Sequence, residues 1–167
     1  EEYMDKWTKI YQNTNYDSGL TGYFLKKSHE WSEKKFDKTM KFNKVLEVGA
    51  GSGVHIDYVK HQYDEYYMTD LHDSFINQSK DKVNDKVILK IEDATKLSFE
   101  DNTFDRVIAT HILEHVQNPH EVLMEWTRVL KPGGKVVCLE LSKPNIPILK
   151  NIYDIYFNHV LPFVGSI

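Results

Sequence analysis

Apolar residues along this chain come in short continuous runs, and between the runs they recur at the spacing of a helix face. The first run, Val45 to Val48, leads into a loop with glycines at 49, 51 and 53. The stretch from Val54 is predicted as a helix, because Ile56, Val59 and Tyr63 keep helical spacing. Glu65 to Thr69 reads as a strand ending at Asp70, Ser74 to Lys80 as a short helix, and Val87 to Ile91 as a third strand ending at Glu92-Asp93-Ala94. Asp101-Asn102 makes a turn before a fourth strand, Phe104 to Ala109, which ends at Thr110-His111. Asn118-Pro119 marks a helix start, a capping side chain followed by proline at the first helical position. Val122, Leu123, Trp126, Val129 and Leu130 give that helix one apolar face, and Lys131-Pro132-Gly133-Gly134 stops it. Lys135 to Glu140 is a fifth strand.

Strands alternating with helices predict an α/β fold, a three-layer sandwich with a mostly parallel twisted sheet and helices on both faces. In such sheets ligands lie beyond the carboxyl ends of the strands. The glycine loop, Asp70, Asp93 and Thr110-His111 are therefore expected on one rim, although they are far apart in sequence. Residues 44–141 form this core of a single domain. Residues 1–43 are expected to be a helical segment: Tyr3, Trp7 and Tyr11 share a helix face, Asp17-Ser18-Gly19 is a break, and a second helix covers Gly22 to Phe36. That segment packs on the body or closes over the ligand as a lid. Residues 142–167 form an apolar C-terminal segment, read as packing on the sheet or as an entrance for an amphipathic substrate or a membrane surface.

Composition narrows the function. With 167 residues and a formal net charge of −4, the chain is one domain with no electrostatic reason to bind nucleic acid. The single cysteine, Cys138, excludes a disulfide framework or a cysteine-based metal site within one chain and fits a reducing, cytoplasmic setting. No uninterrupted apolar stretch is long enough to span a bilayer, and no secretory signal pattern opens the chain. It begins Glu-Glu without an initiator Met, so residues are expected to be missing at the front. Oligomeric state is not legible.

Strand, glycine loop and helix together bring backbone close to a nucleotide-like ligand. Asp70, 21 residues after Gly49, is placed to accept hydrogen bonds from both hydroxyls of a ribose. Such a pairing serves nicotinamide enzymes and S-adenosylmethionine enzymes alike. Two details favour the second. The glycines follow Gly-x-Gly-x-Gly, with Val54 where the dinucleotide fingerprint needs its last glycine. Glu47, two residues before the first glycine, is unwelcome beside a pyrophosphate but suits a ligand with a cationic amino group and a sulfonium.

Val45 to Gly53, Asp70, Glu92-Asp93-Ala94, Phe104 to His111 and Val129 to Glu140 resemble, in order and spacing, the successive motifs of class I S-adenosylmethionine-dependent methyltransferases. The resemblance implies a Rossmann-like sandwich with S-adenosylmethionine as cofactor and S-adenosylhomocysteine as product. It implies that Glu47, Gly49, Ala50, Gly51 and Gly53 line the methionine part, that Asp70 binds the ribose, and that Leu71 packs on the adenine. It further implies that Asp93 reaches the adenine amino group with Ala94 beside the ring, and that Thr110 and His111 close the pocket. Two more strands, one antiparallel, normally follow strand five in this class; none is found after residue 141, so the chain is expected to be truncated.

Leu97 to Asp105, Leu139 to Pro144, Tyr153-Asp154 and Val160-Leu161-Pro162 with Gly165 resemble the ubiquinone/menaquinone biosynthesis C-methyltransferase family. That family usually carries a Gly-Leu-Arg-Asn-Val type segment where this chain has Ile112-Leu113-Glu114-His115-Val116. The expected acceptor is a lipophilic small molecule such as a quinone precursor. Phospholipid head groups and other small molecules stay open, as does a non-catalytic cofactor-binding fragment, and contact with a membrane surface is an alternative to a freely cytoplasmic protein. His111 and His115 are the candidate catalytic bases, since an unperturbed histidine titrates near neutrality. His111 to His115 also matches a His-x-x-Glu-His zinc pattern, but it follows a strand rather than lying on a helix, so no metal is expected.

Overall fold

The computed structural model describes residues 19–140. Five strands, β1 Lys41–Val48, β2 Gln62–Asp70, β3 Val87–Ile91, β4 Phe104–Thr110 and β5 Leu130–Leu139, pair in parallel in the order β3-β2-β1-β4-β5. The chain steps outward from β1 through β2 to β3, then returns to the other side of β1. The strand order thus reverses between β1 and β4, where a crevice opens in sheets of this kind. Three helices are described: α1 Gly19–Glu33, α2 Asp73–Gln78 and α3 Pro119–Val129.

Alternation along the strands sorts side chains between two faces. Leu46, Val48, Val107 and Ala109 meet Val122, Trp126 and Val129 of α3. Val45, Tyr66, Met68 and Ile108 form the core of the other face. There α1 is held through charge. Arg106, in the middle of β4, is fully buried and donates from Nη1 to Glu33 Oε2 at 2.9 Å and from Nη2 to Glu33 Oε1 at 2.5 Å. Its guanidinium lies 3.8 Å from the centre of the Phe36 ring. His55 Nε2 meets Glu33 Oε1 at 2.9 Å, and His29 Nδ1 meets His55 Nδ1 at 2.8 Å. Helices therefore cover both faces, as the alternating pattern implies.

The element boundaries differ from the sequence reading in instructive places. No helix follows the glycine loop. A single 3-10 turn, His55–Tyr58, gives way to extended backbone at Val59, and β2 starts at Gln62, earlier than expected. Ile56, Val59 and Tyr63 still pack on the core, so their spacing reflects burial of a short irregular stretch. His55 is turned inward to Glu33, which a continuous helix would not require. α1 begins and ends three residues earlier than the Gly22 to Phe36 expected. β5 absorbs the Lys131-Pro132-Gly133-Gly134 stop as an irregularity: Phe104 pairs with Leu130 and Arg106 with Lys135. Asn118 precedes α3, but its amide donates to Glu121 Oε1 at 2.8 Å instead of capping the backbone. The helix around Tyr3, Trp7 and Tyr11, the apolar segment 142–167 and any strands after residue 141 lie outside the described residues.

Stability should carry the signature of this buried pair. Burial alone would raise the Glu33 carboxyl, but hydrogen bonds from His55 and Arg106 outweigh it and hold the group at about 2. Burial, with His55 and His111 beside it, pushes His29 down to about 3. Both groups bind fewer protons folded than unfolded, so both contribute stability at neutral pH that is lost on acidification. The His29 share fades as pH falls from 6.5 towards 3, and the Glu33 share from 4.5 towards 2. Urea denaturation at pH 7 should show Glu33→Gln destabilised by about 3–5 kcal/mol, because it strands a buried guanidinium. His29→Phe should flatten the loss of stability between pH 6.5 and 4.5; an unchanged slope would contradict the assignment.

Candidate functional site

Parallel register sets the strand ends level. Val48 lies beside Thr69 and Ala109, and Asp70 beside Ile91. The residues that follow β1, β2, β3 and β4 therefore emerge on one rim.

The loop between β1 and the 3-10 turn is built on left-handed glycines, with φ of +66° at Gly49, +55° at Gly51 and +72° at Gly53. Two of them are hemmed in by the protein's own side chains. A Cβ at Gly49 would lie 2.6 Å from Ile112 Cδ1, and one at Gly53 would overlap Met68 Cε. At Gly51 a Cβ would meet nothing within 4 Å, so the open side of the loop is at Gly51. Asp70 pins this loop: its Oδ2 accepts from Gly51 N at 3.0 Å and its Oδ1 from His72 N at 3.0 Å. Ala50 N donates to Thr69 O at 2.9 Å, and Ser79 Oγ to Gly51 O at 2.8 Å. A carboxylate has about four acceptor positions, so Asp70 keeps capacity for two more donors.

Glu47 lies below the loop, fully buried, with Oε2 accepting from Tyr66 OH at 2.7 Å. Its Oε1 has no hydrogen-bond partner among the described residues. Burial pushes its carboxyl up, against the downward pull of His55 and the Tyr66 hydrogen bond. A buried acceptor in this condition is costly unless a donor reaches it. Asp93 is exposed, and Thr95 donates to its Oδ1 from both backbone (2.8 Å) and hydroxyl (2.7 Å), which lowers its carboxyl. Leu71 is 57% exposed, while Ala94 and Thr110 are half-buried.

The two histidines differ. His111 is buried, follows β4 directly and holds a left-handed backbone, φ +56°, with its N–H donating to Leu139 O at 2.7 Å. His115 ends a 3-10 turn, Leu113–His115, and is exposed. The turn between them is held by a residue sequence reasoning missed: Glu140 Oε1 accepts from Ile112 N at 3.0 Å and Leu113 N at 2.8 Å. Also missed were Glu33, His29, His55 and Arg106, which lie directly beneath the rim. A signal existed for each side: Leu25, His29 and Glu33 repeat at four-residue spacing, and Arg106 is a charge inside an apolar strand. Among the described residues no group of three His, Cys, Asp or Glu side chains is placed to hold a metal ion. A cleft of about 480 Å³ lined by Lys41, His61, Gln62, Tyr63, Asp64 and Lys86 lies at the amino ends of β1 and β2, opposite this rim.

The sequence profile of the ubiE/COQ5 methyltransferase family matches residues 6–167. The chain belongs to that family. Among ubiE/COQ5 relatives, the demethylmenaquinone methyltransferase of Halalkalibacterium halodurans is 42% identical over 101 residues, 58% of this chain and 41% of that protein. The demethylmenaquinone methyltransferase of Staphylococcus aureus is 33% identical over 169 residues, 95% of this chain and 70% of that protein. The match thus spans about two-fifths of the first relative's length and just over two-thirds of the second's. The fold is shared with a SAM-dependent methyltransferase from Aquifex aeolicus, at a TM-score of 0.59 and 21% identity over 87% of this chain and 75% of that one.

The glycine geometry separates two substitutions. Gly51→Ala should cost about 1–2 kcal/mol, the left-handed backbone alone. Gly53→Ala adds overlap with Met68 and Ser79, raising the loss by about 1–3 kcal/mol more. Thermal denaturation of both variants checks the ranking; equal losses would contradict it.

Proposed function

We propose that this chain forms the S-adenosylmethionine-binding part of a methyltransferase whose acceptor is a lipophilic ring of the demethylmenaquinone type, with S-adenosylhomocysteine as the other product. The observation that carries this reading is the open face of Gly51, pinned by Asp70 at the rim where the strand order reverses. The relatives named above as demethylmenaquinone methyltransferases support the acceptor class.

The residues present fit such a cofactor. The unpartnered Glu47 Oε1 calls for a donor from the loop side, and a cationic amino group is one. The backbone of Gly49, Ala50, Gly51 and Gly53 would hold the same amino-acid end. Asp70 would accept from the ribose hydroxyls, with Leu71 and Ala94 flanking the adenine and Asp93 reaching its amino group. Thr110 and His111 would close the pocket. Bound there, S-adenosylmethionine supplies an activated methyl group on its sulfonium.

The chain's own work is to orient the acceptor and to move one proton. His111 is the base in this reading, because it is the histidine buried at the rim; His115, exposed on its turn, would lie at the pocket mouth. A proton passes from the acceptor hydroxyl to a ring nitrogen of His111. The electron pair of the broken O–H bond stays on oxygen and enriches the ring carbon to be methylated; the hydrogen that the methyl group replaces on that carbon leaves as a proton and restores the hydroxyl.

Among the described residues no helix is long and apolar enough to cross a membrane. Peripheral contact belongs to the proposal, since Phe24 and Trp31 on α1 are 60% and 74% exposed beside Lys27 and Lys35, a pattern suited to a lipid surface.

Transfer of labelled methyl from S-adenosylmethionine should be measured with a demethylated menaquinol and, separately, with phosphatidylethanolamine. Label is expected in the quinol, and Asp70→Ala should lower it by about tenfold or more, the loss of two charge-assisted hydrogen bonds. Label in phosphatidylethanolamine alone would move the acceptor to a head group. Label in neither, with cofactor bound, would make the chain a non-catalytic binder.

A further inference from the structure

Beneath the rim lies a row of buried ionisable side chains that the cofactor roles leave unused. Glu33, Arg106, His55 and His29 are each 1% exposed or less, and His111 is 7% exposed. The fork of Arg106 already neutralises Glu33 and anchors α1, so holding the helix does not require two further buried imidazoles. Their order is informative. Glu33, ionised against Arg106, can only accept, so His55 Nε2 carries the proton across 2.9 Å. The 2.8 Å contact between His55 Nδ1 and His29 Nδ1 needs one proton between the two rings. The His29 ring is fixed by stacking on Tyr58, at 5.5 Å and 13° between planes, and stands edge-on to His111 at 6.2 Å and 88°. From β1 and β2 the charged and titratable groups facing this row are Glu47 and Tyr66. The row ends on a residue with strained backbone, His111, as functional positions often do.

We propose that His29 is a positioning residue for methyl transfer: the Glu33–His55–His29 chain and Tyr58 fix the ring of His29, and His29 holds the His111 ring in the orientation that takes the acceptor's proton. The proposal rests on His111 being the base. The cofactor and base roles proposed above do not include His29.

The test is a cycle of His29→Phe, His111→Phe and the double variant in the full chain, assayed for kcat, KM and pH dependence with a demethylated menaquinol, alongside S-adenosylhomocysteine titration. His111→Phe is expected to lower kcat by about a hundredfold or more, the usual worth of a general base. His29→Phe is expected to lower kcat by about tenfold with both KM values and S-adenosylhomocysteine affinity unchanged, and to shift the acid limb of the kcat profile. The double variant should be no slower than His111→Phe. Multiplying effects would overturn the positioning role while leaving His111 as base. An unchanged kcat in His111→Phe would overturn both. Where His29→Phe fails to fold, His29→Gln is assayed in its place and nitrogen-15 NMR of the unsubstituted protein checks the chain: a proton hydrogen-bonded between His29 Nδ1 and His55 Nδ1 supports it, and its absence overturns it.

Discussion

A guanidinium with no access to water sits in the middle of the sheet, and much of the structure follows from it. Arg106 lies on β4, between β1 and β5, where an isolated charge would be prohibitively costly. Glu33 answers it from 73 residues earlier in the chain, and in doing so lays α1 across one face of the sheet. The same carboxylate recruits His55, which sets the path of the chain after the glycine loop. One ion pair thus places a helix, keeps the post-loop segment to a single turn and aligns two imidazoles under the rim.

Above this buried layer the site is made mostly of backbone. Level strand ends deliver the loop, Asp70, Asp93 and His111 to one place, and Asp70 ties the end of β2 to the loop that follows β1. The glycines divide the labour: Gly49 and Gly53 let the loop pack against Ile112 and Met68, while Gly51 leaves a side open. Glu140 performs the matching task on the other flank, holding the turn after His111. The carboxylates of Asp70 and Glu140 shape the site through backbone hydrogen bonds, and Glu47 Oε1, without a partner among the described residues, is the acceptor the proposed cofactor would use.

Much of this was legible in the sequence, for a physical reason. Strand cores such as Val87 to Ile91, the glycine loop and the start of α3 are local patterns, set by apolar runs, turn chemistry and the proline at the first helical position. The rim residues followed because parallel strands align their carboxyl ends. The helix predicted after Val54 failed because three apolar residues at helical spacing fit a short packed segment equally well, and β2 begins too soon to leave room. The row from Glu33 to His111 was illegible because its contacts span tens of residues. The Gly22 to Phe36 helix was expected to pack on the body or to close as a lid, and its buried stripe, Leu25, His29 and Glu33, reads as ordinary until Arg106 is seen to need a partner.

The central claim is that the loop receives the amino-acid end of S-adenosylmethionine rather than a generic nucleoside. Calorimetric titration of the full chain with S-adenosylhomocysteine and with 5′-methylthioadenosine, which shares the nucleoside and thioether but lacks the amino acid, tests it directly. The account predicts saturable binding of S-adenosylhomocysteine at least about tenfold tighter than methylthioadenosine, the equivalent of one charge-assisted hydrogen bond. Equal affinities, or no binding of either, would contradict it.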